Sequence, residues 1–473
     1  MKHVHSFGDD ALGDLDAVGV ARAIASKQAS ALEMLDAALA RIDAVNPTLA
    51  AIAEDDRERA RARAASNSFS GAFAGVPSAI KSNTAVAGLP TRYGSAATSA
   101  EPAAADAPFT GEFVGTGVNV LGTTTMPPFG LSASTEFDDR EPTRNPWDTD
   151  RSSGGSSGGA AALVAAGALP IAHGNDGGGS IRIPAAACGL VGLKPTRGRT
   201  AADPLAAKAP IDLVCNGVLT RSVRDSAYFL ADLERQRPVD GLEPVGLVQG
   251  PGERRLRIAL IAEPITGQLL EPDTNRVLMA TVDLLEALGH RVETVPLPVE
   301  RSYVDQFALY WALMAFSMDR FGARTVGAGF DRSRVDPFTR GLSRRFTRRF
   351  YKTPSALHGL RTSTRRMREL LAAYDLVLSP TLSHSAPEIG YLDPSADFDE
   401  VFDRLTRYVS FTPPNNTSGA PAISLPLGST ADGRPIGMHF SADLGGERAL
   451  LEIAYELEAA QPFARIQDAG AQS

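Results

Sequence analysis

Gly154-Gly155-Ser156-Ser157-Gly158-Gly159 and Asp176-Gly177-Gly178-Gly179-Ser180 stand either side of the apolar run Ala160-Ala161-Ala162-Leu163-Val164-Ala165-Ala166. Glycine is entropically costly in regular structure and is used where the backbone takes unusual angles or approaches a ligand. Two serine-bearing glycine clusters, one helix-length segment apart, place hydroxyls beside bare backbone N–H groups. A nucleophile next to such donors is the equipment of acyl transfer. The competing reading is a pair of flexible surface loops, but flexible linkers rarely run straight into apolar segments.

Outward from this stretch, strand and helix patterns alternate. Val114 to Leu121 and Ala168 to Ala172 read as strands or strand edges. Leu256 to Ile261 reads as a buried strand, followed by an amphipathic helix through Val277, Leu278, Val282, Leu285 and Leu288, then a strand at Val292 to Val295. Leu376 to Thr381 is strand-like, and Ala422 to Leu427 with Pro435 to Phe440 reads as a hairpin about Asp432-Gly433, before a closing helix from Glu447 to Ala459. This pattern predicts one large α/β domain over 1–473, a mixed sheet covered by helices on both faces. N-terminal helices occupy 1–60: Ser30-Ala31-Leu32-Glu33 has the form of a capping box, and Asn46-Pro47 is expected to end the helix it opens. Residues 303–372 read as a helical insertion rich in aromatics and arginine, its arginines a solvated face.

The 473 residues carry 47 basic and 55 acidic side chains, a formal charge of −8, with nothing that points to nucleic acid or a membrane surface. Two cysteines, Cys188 and Cys215, imply no disulfide framework, and the start has no apolar signal region; a cytoplasmic protein is expected.

Ser180 ends a run of three glycines, whose adjacent N–H groups can converge on one anion. A serine needs a base. Among seven histidines only His173 lies near the cluster, and its apolar context, Pro170-Ile171-Ala172, favours a structural role. Lys81 is the other candidate, approached through Gly75-Val76-Pro77-Ser78-Ala79-Ile80. Burial of that stem lowers a lysine pKa by as much as about 3–5 pH units, leaving an amine able to accept a proton. A lone lysine in such a position more often snorkels to the surface.

Taken together, Gly75 to Lys81, Gly154 to Gly159, Asp176-x-Gly-Gly-Ser180-x-Arg182-x-Pro184 and Gly189 to Thr196 resemble the amidase signature family. Asn145-Pro146-Trp147-Asp148, Gly217 to Asp225 and Asn416 to Ala422 agree, so the resemblance covers nearly the whole chain, with a signature core over 61–260. It is similar above all to actinobacterial, especially mycobacterial, amidases, and across His173 to Asp176 to 6-aminohexanoate-cyclic-dimer hydrolases. The resemblance implies a Ser–cis-Ser–Lys triad: Ser180 the nucleophile, Ser156 the bridge after a cis Gly155–Ser156 bond, Lys81 the base. It implies an oxyanion hole from the N–H groups of Gly177, Gly178, Gly179 and Ser180, with Ser157, Asp176 and Arg182 in support. It implies no cofactor and no metal. A small-molecule amide, aryl or aliphatic, would be the substrate, its acyl side lined by Phe129, Leu131, Phe307, Tyr310 and Trp311, unless Trp311 is a plain core residue. A homodimer stays open.

The chain departs from the family pattern at three places. Ser82 follows the lysine where an aspartate is usual, so the support it would give is expected to be altered or supplied by Asn83. Gly122-Thr123-Thr124-Thr125 replaces the usual Gly-Lys-Thr-Asn, and Gly177 replaces a larger residue. The alternatives are the amidase-like subunit of a tRNA-dependent amidotransferase and a non-catalytic binding protein that uses the same loop.

Overall fold

The computed structural model describes residues 2–469; Met1 and residues 470–473 fall outside the described range. Three strands form a small sheet in the order β1 (Ile52–Asp55), β3 (Asn119–Thr124), β2 (Pro77–Lys81). A short ribbon, β4 (Arg144–Asn145) with β5 (Asp148–Ser152), leads into the first glycine-serine cluster. The main sheet has eight strands: β6 (Ile171–Asp176), β7 (Val191–Lys194), β8 (Cys215–Thr220), β9 (Arg257–Leu260), β10 (Arg291–Thr294), β11 (Leu376–Pro380), β12 (Ala422–Ser429) and β13 (Pro435–Ser441). Their order is β10-β9-β11-β13-β12-β7-β8-β6. Within it, β10, β9 and β11 run parallel to one another, through helical crossovers; the other pairings, β11 with β13 included, are antiparallel. The sheet is mixed, as the alternation of patterns predicts.

Strand side chains alternate between faces. On one face, Gly192 and Gly437 lie under the helix Arg182–Cys188, where an added Cβ would come within 2.5 Å of Ala185 and 2.6 Å of Ala186. Their bare backbones let that helix, and Ser180 just before it, sit close against the sheet. On the other face Ile423, Leu425, Met438 and Phe440 join the helices Pro272–Ala287 and Glu447–Ala460 in the main apolar core. The helix Gly158–Ala165, between the two clusters, is buried along its whole length.

Several boundaries differ from the sequence expectation. The capping box at Ser30 and Glu33 forms, but its helix runs Ala31–Leu49 with Pro47 inside. Pro47 sits in the last turn, and Asn46 closes the end by accepting from the N–H groups of Ala51 and Ile52. The 1–60 region also contains β1. Val114 to Leu121 is not one strand: Pro108 starts a helix ending at Gly115, Gly117 turns at φ 95°, and β3 begins at Asn119. Gly167, at φ 77°, and Pro170 likewise delay β6 to Ile171. Residues 302–373 are helical as expected, in Ser302–Thr325, Pro337–Arg349 and Thr353–Ala373, with most of their arginines in solvent. No helix among the described residues is long and apolar enough to cross a membrane.

Candidate active site

Lys81 is the last residue of β2, a strand buried at all five positions. The small sheet leans on the edge of the main one: Ser78 Oγ donates to the carbonyl of Ile171 at 2.9 Å, and the Lys81 N–H to His173 Nδ1 at 3.2 Å. The lysine stem therefore does not snorkel. Its Nζ is enclosed and bonds Ser156 Oγ at 2.8 Å and Asn175 Oδ1 at 2.7 Å. Burial lowers Lys81 to about 7, opposed by the charge of Asp176.

Ser156 follows a cis Gly155–Ser156 peptide bond. A Cβ on Gly155 would lie 2.9 Å from the backbone of Ala133 and Ser132, so only glycine fits there. Ser157 is buried behind it, its Oγ donating to the carbonyl of Asn175 at 3.4 Å.

Ser180 stands in the turn between β6 and the helix Arg182–Cys188, and its Oγ has no hydrogen-bond partner among the described residues. Asp176 organises this turn. Its Oδ1 accepts from the Gly179 N–H at 2.8 Å and its Oδ2 from the Ile181 N–H at 3.2 Å. Arg182 grips the same carboxylate twice, at 2.9 Å and 2.8 Å, and both side chains are fully buried. The guanidinium also donates to the carbonyl of Thr412 and to Asn416 Oδ1. Burial alone would raise the Asp176 carboxyl, but the Arg182 charge and hydrogen bonds hold it well below the usual carboxylate range.

This brace corrects one expectation. The Gly179 N–H is spent on Asp176, which leaves the N–H groups of Gly177, Gly178 and Ser180 without partners among the described residues. Gly179 is required for its conformation: φ is +133°, and a Cβ would meet Thr412 Oγ1 at 2.3 Å.

His173 is buried, with Nε2 against Asn216 Oδ1 at 3.2 Å; burial lowers its pKa to about 3, so it is a neutral structural histidine. Asn83 forms no hydrogen bond with Lys81 among the described residues. It accepts from Asn175 Nδ2 at 3.0 Å, and Asn175 is the residue that reaches the lysine. Sequence reasoning missed Asn175; its one signal was its place just before Asp176, next to the second cluster. Ser82 Oγ is buried without a hydrogen-bond partner among the described residues.

Two cavities meet at Ser180, Gly130 and Trp311. One is almost wholly apolar, walled by Leu131, Ile183, Phe307, Trp311, Leu405 and Val409. The other is wider and more polar, and includes Ser156, Asn83, Asn175 and Tyr93. Trp311 is thus no plain core residue: it forms the partition, stacked on Phe307 with centroids 5.8 Å apart and anchored by Nε1 to the carbonyl of Leu131 at 3.1 Å. Phe129 and Tyr310 line the wide cleft and not the apolar pocket. Phe129 sits in a left-handed turn at φ 53°, which separates its side chain from that of Leu131, and the Tyr310 hydroxyl donates to the carbonyl of Ile211 at 2.6 Å.

A sequence profile of the amidase family matches residues 33–451. The chain belongs to the amidase signature family. It is an amide-hydrolysing enzyme. It is 48% identical over 468 residues to the Mycobacterium leprae protein named "Putative amidase AmiC", covering 99% of each chain. It is 35% identical over 474 residues to the 6-aminohexanoate-cyclic-dimer hydrolase of Pseudomonas sp. (strain NK87), covering 95% of each. A solved structure of 6-aminohexanoate cyclic dimer hydrolase complexed with substrate superposes with a TM-score of 0.86 at 32% identity, covering 97% of this chain and 99% of that one.

Proposed function

We propose that the enzyme hydrolyses carboxylic amides with an apolar acyl group, aryl or aliphatic, through an acyl-enzyme on Ser180. The observation that carries this is the enclosed Lys81 Nζ, 2.8 Å from Ser156 Oγ and brought by burial to about 7. A lysine at that pKa is half neutral at pH 7, whereas an unburied one is almost wholly charged.

Neutral Lys81 takes the proton of Ser156 as Ser156 takes that of Ser180, and Ser180 Oγ bonds to the carbonyl carbon. The N–H groups of Gly177, Gly178 and Ser180 receive the developing oxyanion; one such donor is worth about 3–4 kcal/mol in the transition state. Collapse breaks the C–N bond, and the amine leaves with the proton returned through Ser156. Water then attacks the ester by the same relay, releasing the acid and freeing Ser180. Asp176 and Arg182 keep the turn rigid while charge moves past it. In this account residues 61–260 supply the reacting groups, the helices of 303–372 supply part of the pocket wall, and no cofactor or metal takes part.

The test is the purified chain alone with anilides and primary amides. Release of aniline or ammonia without a partner subunit or glutamine supports the proposal. A requirement for both favours the amidotransferase-subunit alternative, and binding without turnover favours a non-catalytic protein.

A further inference from the structure

The two cavities divide the substrate, given the acyl-enzyme proposed above. The relay hands the Ser180 proton to the leaving nitrogen, so that nitrogen must stand beside Ser156 Oγ. Ser156 lines the wide cleft and not the apolar pocket. The acyl group therefore enters the apolar pocket, and the amine half lies in the wide cleft.

That cleft offers hydrogen-bond donors. The Lys81 lone pair serves Ser156, so its N–H groups face Asn175, which must present Oδ1 to them. Asn175 Nδ2 then points to Asn83, which presents Oδ1 and keeps its own Nδ2 for the cleft. Two cations, Lys208 and Arg324, line the same cleft and form no ion pair among the described residues. One carboxylate, Asp203, also lines it, but its Oδ1 already accepts the N–H groups of Leu205 and Ala206 at 2.9 Å. The helix Ser302–Thr325 runs along both cavities. The 13 steps from Trp311 to Arg324 span at most roughly 20 Å at 1.5 Å per residue, with a kink at Phe321. Arg324 reaching back along the cleft would meet a group roughly 10 Å or more from the scissile nitrogen, a reach set by that helical rise.

We infer that the amine half is an extended chain ending in a carboxylate, of ω-amino-acid or short-peptide length, read by Lys208 and Arg324 with Asn83 donating to an acceptor nearer the scissile bond. The substrate class is N-acyl ω-amino acids and N-acyl peptides with apolar acyl groups.

The test holds one acyl group, phenylacetyl, and varies the amine: glycine, 4-aminobutyrate, 6-aminohexanoate and 8-aminooctanoate, each against the alkylamine of equal length lacking the carboxylate. The expected result is a carboxylate preference in kcat/KM that rises with length to about three- to tenfold, the range for two solvent-exposed ion pairs. It falls towards one in Lys208→Ala/Arg324→Ala and in 1 M salt. Turnover of the neutral alkylamides stays at the wild-type rate in that variant. A preference near one at every length, or one that survives the double substitution, overturns the inference while leaving the hydrolase account intact. No turnover of any member by folded enzyme overturns both.

Discussion

Replacing Lys81 with methionine should cost the enzyme its activity and, at neutral pH, make it more stable. Lys81 is fully enclosed, and burial takes its pKa from 10.5 to about 7. Between these values the unfolded chain binds a proton that the folded chain does not, so the folded state gains stability as pH rises from 7 towards 10.5. At 1.36 kcal/mol per pH unit, the buried lysine costs about 4 kcal/mol at pH 7 and about 1 kcal/mol at pH 10. Methionine removes that cost but also the bonds to Ser156 and Asn175, about 1 kcal/mol each. Lys81→Met should thus be about 2 kcal/mol more stable than wild type at pH 7 and about 1 kcal/mol less stable at pH 10. Urea unfolding at both pH values measures this, and the difference of about 3 kcal/mol between the two pH values does not depend on the hydrogen-bond value. A variant whose stability difference from wild type is the same at both pH values, within about 1 kcal/mol, would refute the buried neutral lysine.

The same lysine sets the pH–rate profile: kcat/KM should rise about tenfold per pH unit below 7 and level off above about 8, and a flat profile from pH 5 to 7 would remove Lys81 as base. Asp176→Asn leaves the buried Arg182 without its counter-charge and should cost about 3–5 kcal/mol in urea unfolding; a loss under about 1 kcal/mol contradicts the brace. Gly179→Ala should fail to fold or melt far below wild type, because its Cβ meets Thr412 at 2.3 Å with φ at +133°. Gly177→Ala, whose Cβ comes no closer than 3.4 Å to Val214, should melt close to wild type, and equal melting losses in the two variants would sink this contrast.

The candidate site was legible because the chemistry proposed for it demands special residues. Glycines at 154, 155 and 179 mark backbone that no other residue fits, and a buried lysine is rare enough to notice in a chain with six lysines. The α/β alternation was legible because β9 is a short buried apolar run and the helix Pro272–Ala287 carries a clean apolar period. What stayed hidden depends on through-space placement. Asn175 is the next-to-last residue of β6 and gains its place beside Lys81 only because β2 ends against that strand. The use of the Gly179 N–H follows from where the Asp176 carboxylate points. The separation of Phe129 from Leu131 goes with two consecutive left-handed residues, Phe129 and Gly130, which no periodicity signals.

The central claim is that Ser180 is the nucleophile, activated through Ser156 by Lys81. The direct measurement is labelling with a fluorophosphonate, followed by mass mapping of the adduct in wild type and in Lys81→Met. The account predicts a single adduct on Ser180, formed with the rising pH dependence of Lys81 and slowed by orders of magnitude in the variant. Adduct on another serine, or none on folded wild-type enzyme that still hydrolyses amides, would contradict it.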